Sequence, residues 1–143
     1  DCKLGNKLAQ NNTYQELKKY YYTILNDVEY FPVPQKENGE SYVSFDDSWY
    51  AVRNYGGARK HEGTDLMPEY NISGLYPIIS MTDGVVEKIG WLEKGGYRIG
   101  IRASSEGTTG MFDIHLHLGI YVDTPFGELS VNPYYILKYF HSQ

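Results

Sequence analysis

The chain has four histidines, and three of them stand in patterns that could do chemistry. One pattern is His61-Glu62-Gly63-Thr64-Asp65. The other is His115-Leu116-His117, inside Asp113-Ile114-His115-Leu116-His117-Leu118. Imidazole nitrogen and carboxylate oxygen both bind zinc at about 2.0–2.2 Å, and three protein ligands with a water is the catalytic arrangement of that ion. In a straight strand His61 and Asp65 would stand about 13 Å apart, too far to share an ion. A regular helix would bring them together. Gly63 within the run and Pro68 just beyond it argue against one. A bend at Gly63 would do the same. The plain alternative is a turn with incidental polar residues. His115 and His117, two apart on a strand, point the same way about 6.7 Å apart. Two rings opposite an apolar face suit the floor of a groove, or the solvent face of an outer strand. Glu62 is not read as the base of a His-Glu-x-x-His enzyme, because position 65 is Asp and no helix is expected.

The elements that must position these residues are short. Thr13-Tyr14-Gln15-Glu16 reads as a capping box. A helix should follow to about Asp27, with Leu17, Tyr20, Tyr21, Ile24, Leu25 and Val28 at steps of three and four. Pro32 and Pro34 end that region, and 35–41 is a polar linker. Residues 1–41 are therefore expected to form an N-terminal helical appendage, and 42–143 the main domain. Ile78–Met81 and Val85–Trp91 read as a hairpin around Thr82-Asp83-Gly84. Gly96–Arg102 alternates, as does Phe112–Val122, where Ile114, Leu116, Leu118, Ile120 and Val122 share one face. Asn132-Pro133 is an N-cap with proline at N1, opening a last helix over Tyr134–Phe140. The expected fold is mainly β, an antiparallel sheet core with short N- and C-terminal helices.

Composition narrows the function. With 143 residues, 41% apolar and 22% charged, this is a globular chain with no run long enough to span a membrane. A net charge of -5 argues against nucleic acid, which needs a basic stripe. Fifteen tyrosines suit strands and amphipathic clefts that grip peptides or sugars. The single cysteine, Cys2, excludes an intrachain disulfide and a cysteine zinc site. Residue 1 is Asp, so a processed or excised piece is expected, and a signal or membrane anchor could lie upstream.

Taken together, His-x-Gly-x-Asp and a downstream His-x-His resemble the LytM/lysostaphin-type zinc peptidases, the M23 class. The resemblance is carried as well by Asn54-Tyr55-Gly56-Gly57, Ser80-Met81-Thr82-Asp83-Gly84-Val85, Ile89-Gly90-Trp91, Gly95-Gly96-Tyr97 and His115-Leu116-His117-Leu118. It runs from about Ser44 to Leu137. It implies the antiparallel sheet core of that class and a zinc metalloendopeptidase acting on peptide cross-links or stem peptides of bacterial peptidoglycan. It also implies action outside the cell, at the bacterial envelope. The zinc ligands would be His61, Asp65 and His117. His115 would be a catalytic histidine beside the metal, handling a proton on the attacking water or the leaving amine. Tyr55 would stand where relatives carry a tyrosine that steadies the oxyanion, or be one more aromatic among many. The acidic charge does not favour docking on an anionic wall, so local groove recognition or another domain would supply targeting.

One departure stands out. The family carries a further catalytic histidine, in a Tyr-x-His motif, between the Gly-Gly-Tyr strand and the His-x-His strand. Here Ile101–Gly107 runs almost directly into Thr108–Asp113, with no histidine in between. Either a segment near 106–108 of the natural protein is absent from this chain, or the protein has lost it. Loss would leave a catalytically degenerate scaffold that binds cell wall or a partner without cutting. The cost of exposing unpaired strand backbone favours the former. His141, on the last helix, is a poor substitute.

Overall fold

A computed structural model describes residues 14–54, 57–86, 89–92, 96–99, 103–104, 114–124 and 127–141. The first helix, α1 (Tyr14–Asp27), ends where the periodicity predicts. It buries Ile24 and packs Tyr20, Tyr21 and Leu25 against the core, with Val28 just past its end. Thr13 and the side chains of Glu16 and Leu17 lie outside the described residues.

Among the described residues ten short strands follow, and six of them make one sheet. Its order is β1 (Val43–Ser44), β4 (Thr64–Pro68), β8 (Leu116–Leu118), β7 (Ala103–Ser104), β6 (Gly96–Ile99) and β5 (Gly90–Leu92). All of its pairings are antiparallel. β2 (Val52–Arg53) and β3 (Arg59–Lys60) form a small ribbon just before β4. β9 (Ile120–Thr124) and β10 (Gly127–Val131) form a separate hairpin. The closing helix, α2 (Tyr134–His141), starts as expected: the Asn132 Oδ1 accepts the Tyr134 amide at 3.0 Å.

One face of the large sheet supplies Leu66, Leu116 and Leu118 to a core completed by Val131, Ile136, Leu137, Ile24 and Val33. Leu66, Ile136 and Leu137 are fully buried. Alternation along β4 then turns Asp65 to the opposite face, and alternation along β8 does the same for His117.

Two expectations are corrected. Phe112–Val122 is not one strand. Residues 111–113 are outside the described set, and the rest divides at Gly119 into β8, in the large sheet, and β9, in the hairpin. Gly119 sits under the Tyr121 ring, where an added Cβ would come within 3.0 Å. Nor do Ile78–Met81 and Val85–Trp91 pair as a hairpin among the described residues, where 78–86 holds no strand and β5 begins at Gly90. The backbone of 79–81 is engaged elsewhere. Ile79 N–H donates to Pro32 O at 3.0 Å, and the Met81 carbonyl accepts from Glu29 and Tyr30 at 2.8 and 3.2 Å. The segment after α1 has taken the bonds a hairpin partner would need.

Candidate metal centre

The loop between His61 and β4 bends at Gly63, and β4 pairs with β8 in a register that sets Asp65 directly opposite His117. His61, Asp65 and His117 consequently meet. The Asp65 Oδ1 lies 3.0 Å from the His61 Nε2 and 2.9 Å from the His117 Nδ1. The two ring nitrogens are 2.9 Å apart. His61 is fully buried and His117 is 6% exposed. β8 lies inside the sheet between β4 and β7, so His117 is not on an outer strand.

Gly63 has a second role, invisible in the spacing. A Cβ there would lie 2.4 Å from the His117 Cε1 and 2.7 Å from the Leu118 carbonyl oxygen. Only a residue without a side chain lets the His117 ring lie against this backbone.

Around the trio, neighbours fix each group. The His61 Nδ1 is 3.1 Å from the Ser48 carbonyl and 3.0 Å from the Ser48 Oγ. A carbonyl only accepts, so Nδ1 carries the proton and Nε2 is the atom turned to Asp65. The backbone of His61 is held on both sides: its carbonyl accepts from Tyr50 at 2.8 Å and its amide donates to Ala51 O at 3.0 Å. Tyr50 adopts φ 62°, a left-handed conformation rare outside glycine, at a cost of about 1–3 kcal/mol. Arg53, on β2, forms an ion pair through its Nη2 with the other carboxylate oxygen, Oδ2. Burial alone would push the Asp65 carboxyl up. Hydrogen bonds with the His117 and His61 rings in their charged form, and the attraction of both charges, overcome this and hold it far below the usual carboxylate range.

These donors fit a metal ion. With neutral rings, the His61 Nε2 and the Asp65 oxygen each present a lone pair. One proton at most, on the His117 Nδ1, is available to three mutually facing atoms. A cation satisfies all three together. Two imidazoles and a carboxylate suit zinc among other divalent ions.

Of the other candidates, His115 and His141 are among the described residues. His115 is half-buried, one residue ahead of β8. Tyr55 lies outside the described residues. His141 is in α2, its ring 5.9 Å from Phe31 and 5.7 Å from Phe45 between centroids. Ser48 and Arg53 carry no sequence signal. They precede their partners by 13 and 12 residues, in a stretch with no motif spacing.

The comparisons agree with this picture. No family model matches the chain. An L-Ala–D-Glu endopeptidase of Bacillus subtilis (strain 168) is 31% identical over 142 residues, taking in 73% of this chain. This chain spans only 41% of that relative's length. A crystal structure from Ruminococcus gnavus ATCC 29149, described as a candidate glycyl-glycine endopeptidase LytM, is 46% identical and superposes with a TM-score of 0.66. The match covers 82% of this chain and 62% of that one. With the antiparallel core and the two histidine motifs on it, these likenesses establish that the chain belongs to the LytM/lysostaphin-type (M23) peptidase family.

Proposed function

We propose that this protein is a zinc metalloendopeptidase that cleaves peptide cross-links or stem peptides of bacterial peptidoglycan. The observation that carries the reading is the convergence of His61, Asp65 and His117 on one point, with ring nitrogens and carboxylate oxygen at 2.9–3.0 Å. Those three residues would hold the ion. Zinc there would polarise a scissile carbonyl and bring the pKa of a water toward about 7. His115 handles a proton on the water or the leaving amine. Tyr55 steadies the oxyanion. Ser48 keeps the His61 ring in the tautomer that leaves Nε2 free to ligate. One relative is named an L-Ala–D-Glu endopeptidase and the other is described as a candidate glycyl-glycine endopeptidase, which supports a peptide substrate of the wall. Action at the envelope follows from that substrate. No helix among the described residues is long and apolar enough to cross a membrane, so any anchor would be another segment.

The peptidase domain on this reading is 42–143, with 1–41 a helical appendage and linker. A segment near 106–108 carrying the Tyr-x-His histidine belongs to the natural enzyme. The alignment with the Bacillus subtilis relative supports this. It runs over 142 positions but takes in only 73% of a 143-residue chain. The relative therefore has residues within the matched span where this chain has none. The second reading, a degenerate scaffold, is favoured by the same missing histidine. Four residues bearing on it, His61, Asp65, His115 and His117, are all present.

Zinc content and release of wall fragments from purified peptidoglycan decide between the readings. The enzyme reading expects one zinc per chain and soluble peptides from the protein including any residues natural to the 106–108 region. Full zinc with no fragments from any wall type would hand the site to the scaffold reading.

A further inference from the structure

We propose that Arg53 is a positioning residue of the metal centre, holding Asp65 so that the carboxylate offers an ion one oxygen and not two. The inference rests on the metal-site reading and adds a residue to it. Asp65 divides its oxygens: Oδ1 faces both histidine rings, at 3.0 and 2.9 Å, while Oδ2 is taken by the Arg53 Nη2. A carboxylate rotated to give both oxygens to a cation would have to break that ion pair. The arginine itself is held by a ribbon built for the purpose. Among the described residues β2 pairs only with β3, two residues to two, and β3 leads straight into His61. One short ribbon therefore places both the guanidinium and the first histidine.

The alternative, that Arg53 serves general stability, fits the surroundings poorly. Its side chain is 34% exposed, and its Nε is buried without a hydrogen-bond partner. Arginine–carboxylate pairs are frequently bidentate, with both limbs of the fork on the two oxygens. Here the bond to the carboxylate runs from Nη2 to Oδ2, while Oδ1 faces the two histidines. Partners of this kind, bonded to a ligand but not to the metal, fix its orientation and commonly change metal affinity about 10–100-fold when lost.

The test measures metal binding and needs no activity. Zinc affinity is read by competition with a chromophoric chelator for wild type, Arg53→Gln, Arg53→Lys and Lys60→Gln. Lys60→Gln removes an exposed charge from β3 and controls for long-range electrostatics. Cobalt is loaded in parallel, because its visible absorption weakens as coordination rises above four. The expected result is a loss of about 10–100-fold for Arg53→Gln, a smaller loss for Arg53→Lys, none for Lys60→Gln, and a weaker cobalt band in Arg53→Gln. Arg53→Lys keeps the charge and most of the stem, so it carries the test if Arg53→Gln does not fold. Folded Arg53 variants that bind zinc within twofold of wild type, or an equal loss in Lys60→Gln, overturn the proposal and leave the metal site standing. A wild type that takes up no zinc overturns the site and the proposal together.

Discussion

Asp65 and His117 are direct cross-strand neighbours, paired between β4 and β8 with the Asp65 Oδ1 2.9 Å from the His117 Nδ1. The pair joins residues 52 positions apart in the chain. A slip of one residue in this ladder would turn one of them into the core, because successive side chains alternate faces. Sheet register thus decides whether the candidate metal site can form, as much as the three side chains do.

His117 and His115 should separate binding from catalysis. His117→Ala removes an atom of the cluster and is expected to lose metal and activity together. His115→Ala is expected to keep its metal nearly intact and lose about 10²–10⁴-fold in turnover, the range for a positioned acid or base. Zinc stoichiometry and wall hydrolysis, measured on the same preparations, check both. Metal loss in His115→Ala with metal retained in His117→Ala would exchange the two assignments.

Gly63→Ala should damage the centre without removing any ligand. Its new methyl would lie 2.4 Å from the His117 Cε1 and 2.7 Å from the Leu118 carbonyl oxygen, and the second of these is backbone. Overpacking of this kind costs about 1–3 kcal/mol. Denaturant unfolding of the metal-free protein should show that loss, and zinc affinity should fall as well because the His117 ring must move. Unchanged values for both would mean that the loop opens freely at Gly63.

Chelation should lower the melting temperature of wild type but not of Asp65→Ala. An ion bound only by the folded chain stabilises it by mass action, about 2.7 kcal/mol at a hundred times its Kd. Thermal unfolding with and without a strong chelator reads this directly. Equal shifts in the two proteins would place the bound metal elsewhere.

Asn132→Ala should loosen the start of α2 and one support of the metal-site loop. The Asn132 Oδ1 caps the Tyr134 amide at 3.0 Å, while its Nδ2 donates to the Asp47 Oδ1 at 3.0 Å, next to Ser48. Loss of such a cap costs about 1 kcal/mol. A stability loss well above that would show the Asp47 bond contributing too, and Asp47→Ala in the same background then adds little.

Tyr21 should give stability an alkaline limb. Burial raises its phenol well above the ordinary value of 10.0, and the nearby Tyr135 adds to the rise. Its hydroxyl donates to the Asn132 carbonyl at 3.1 Å, and the ionised form cannot. Below about pH 10 both folded and unfolded chains keep this proton. Above it the unfolded chain releases the proton first, so stability falls as pH rises. Tyr21→Phe should cost about 0.5–1.5 kcal/mol at neutral pH and flatten this fall. Parallel unfolding curves for the two proteins from pH 8 to 11 would contradict the assignment.

Much of the site was legible in the chain because its signals are local. His61, Gly63 and Asp65 lie within five positions, and His115 and His117 are two apart, so residue type and spacing alone suggested imidazole and carboxylate ligation. The ends of α1 and α2 were legible for the same reason: Asn132 and Pro133 act on amides a residue or two away. Tertiary structure decided what depends on distant partners. The β4–β8 register set Asp65 against His117. The β2–β3 ribbon brought in Arg53, and the 46–51 loop brought in Ser48, neither at a spacing that marks it. Gly119 divided a continuous alternating run between two sheets, and the chain after α1 took the backbone bonds of 79–81 from the expected hairpin. In each case a strand's pattern shows which face a side chain can take, while the partner that face meets is selected by packing of the whole chain.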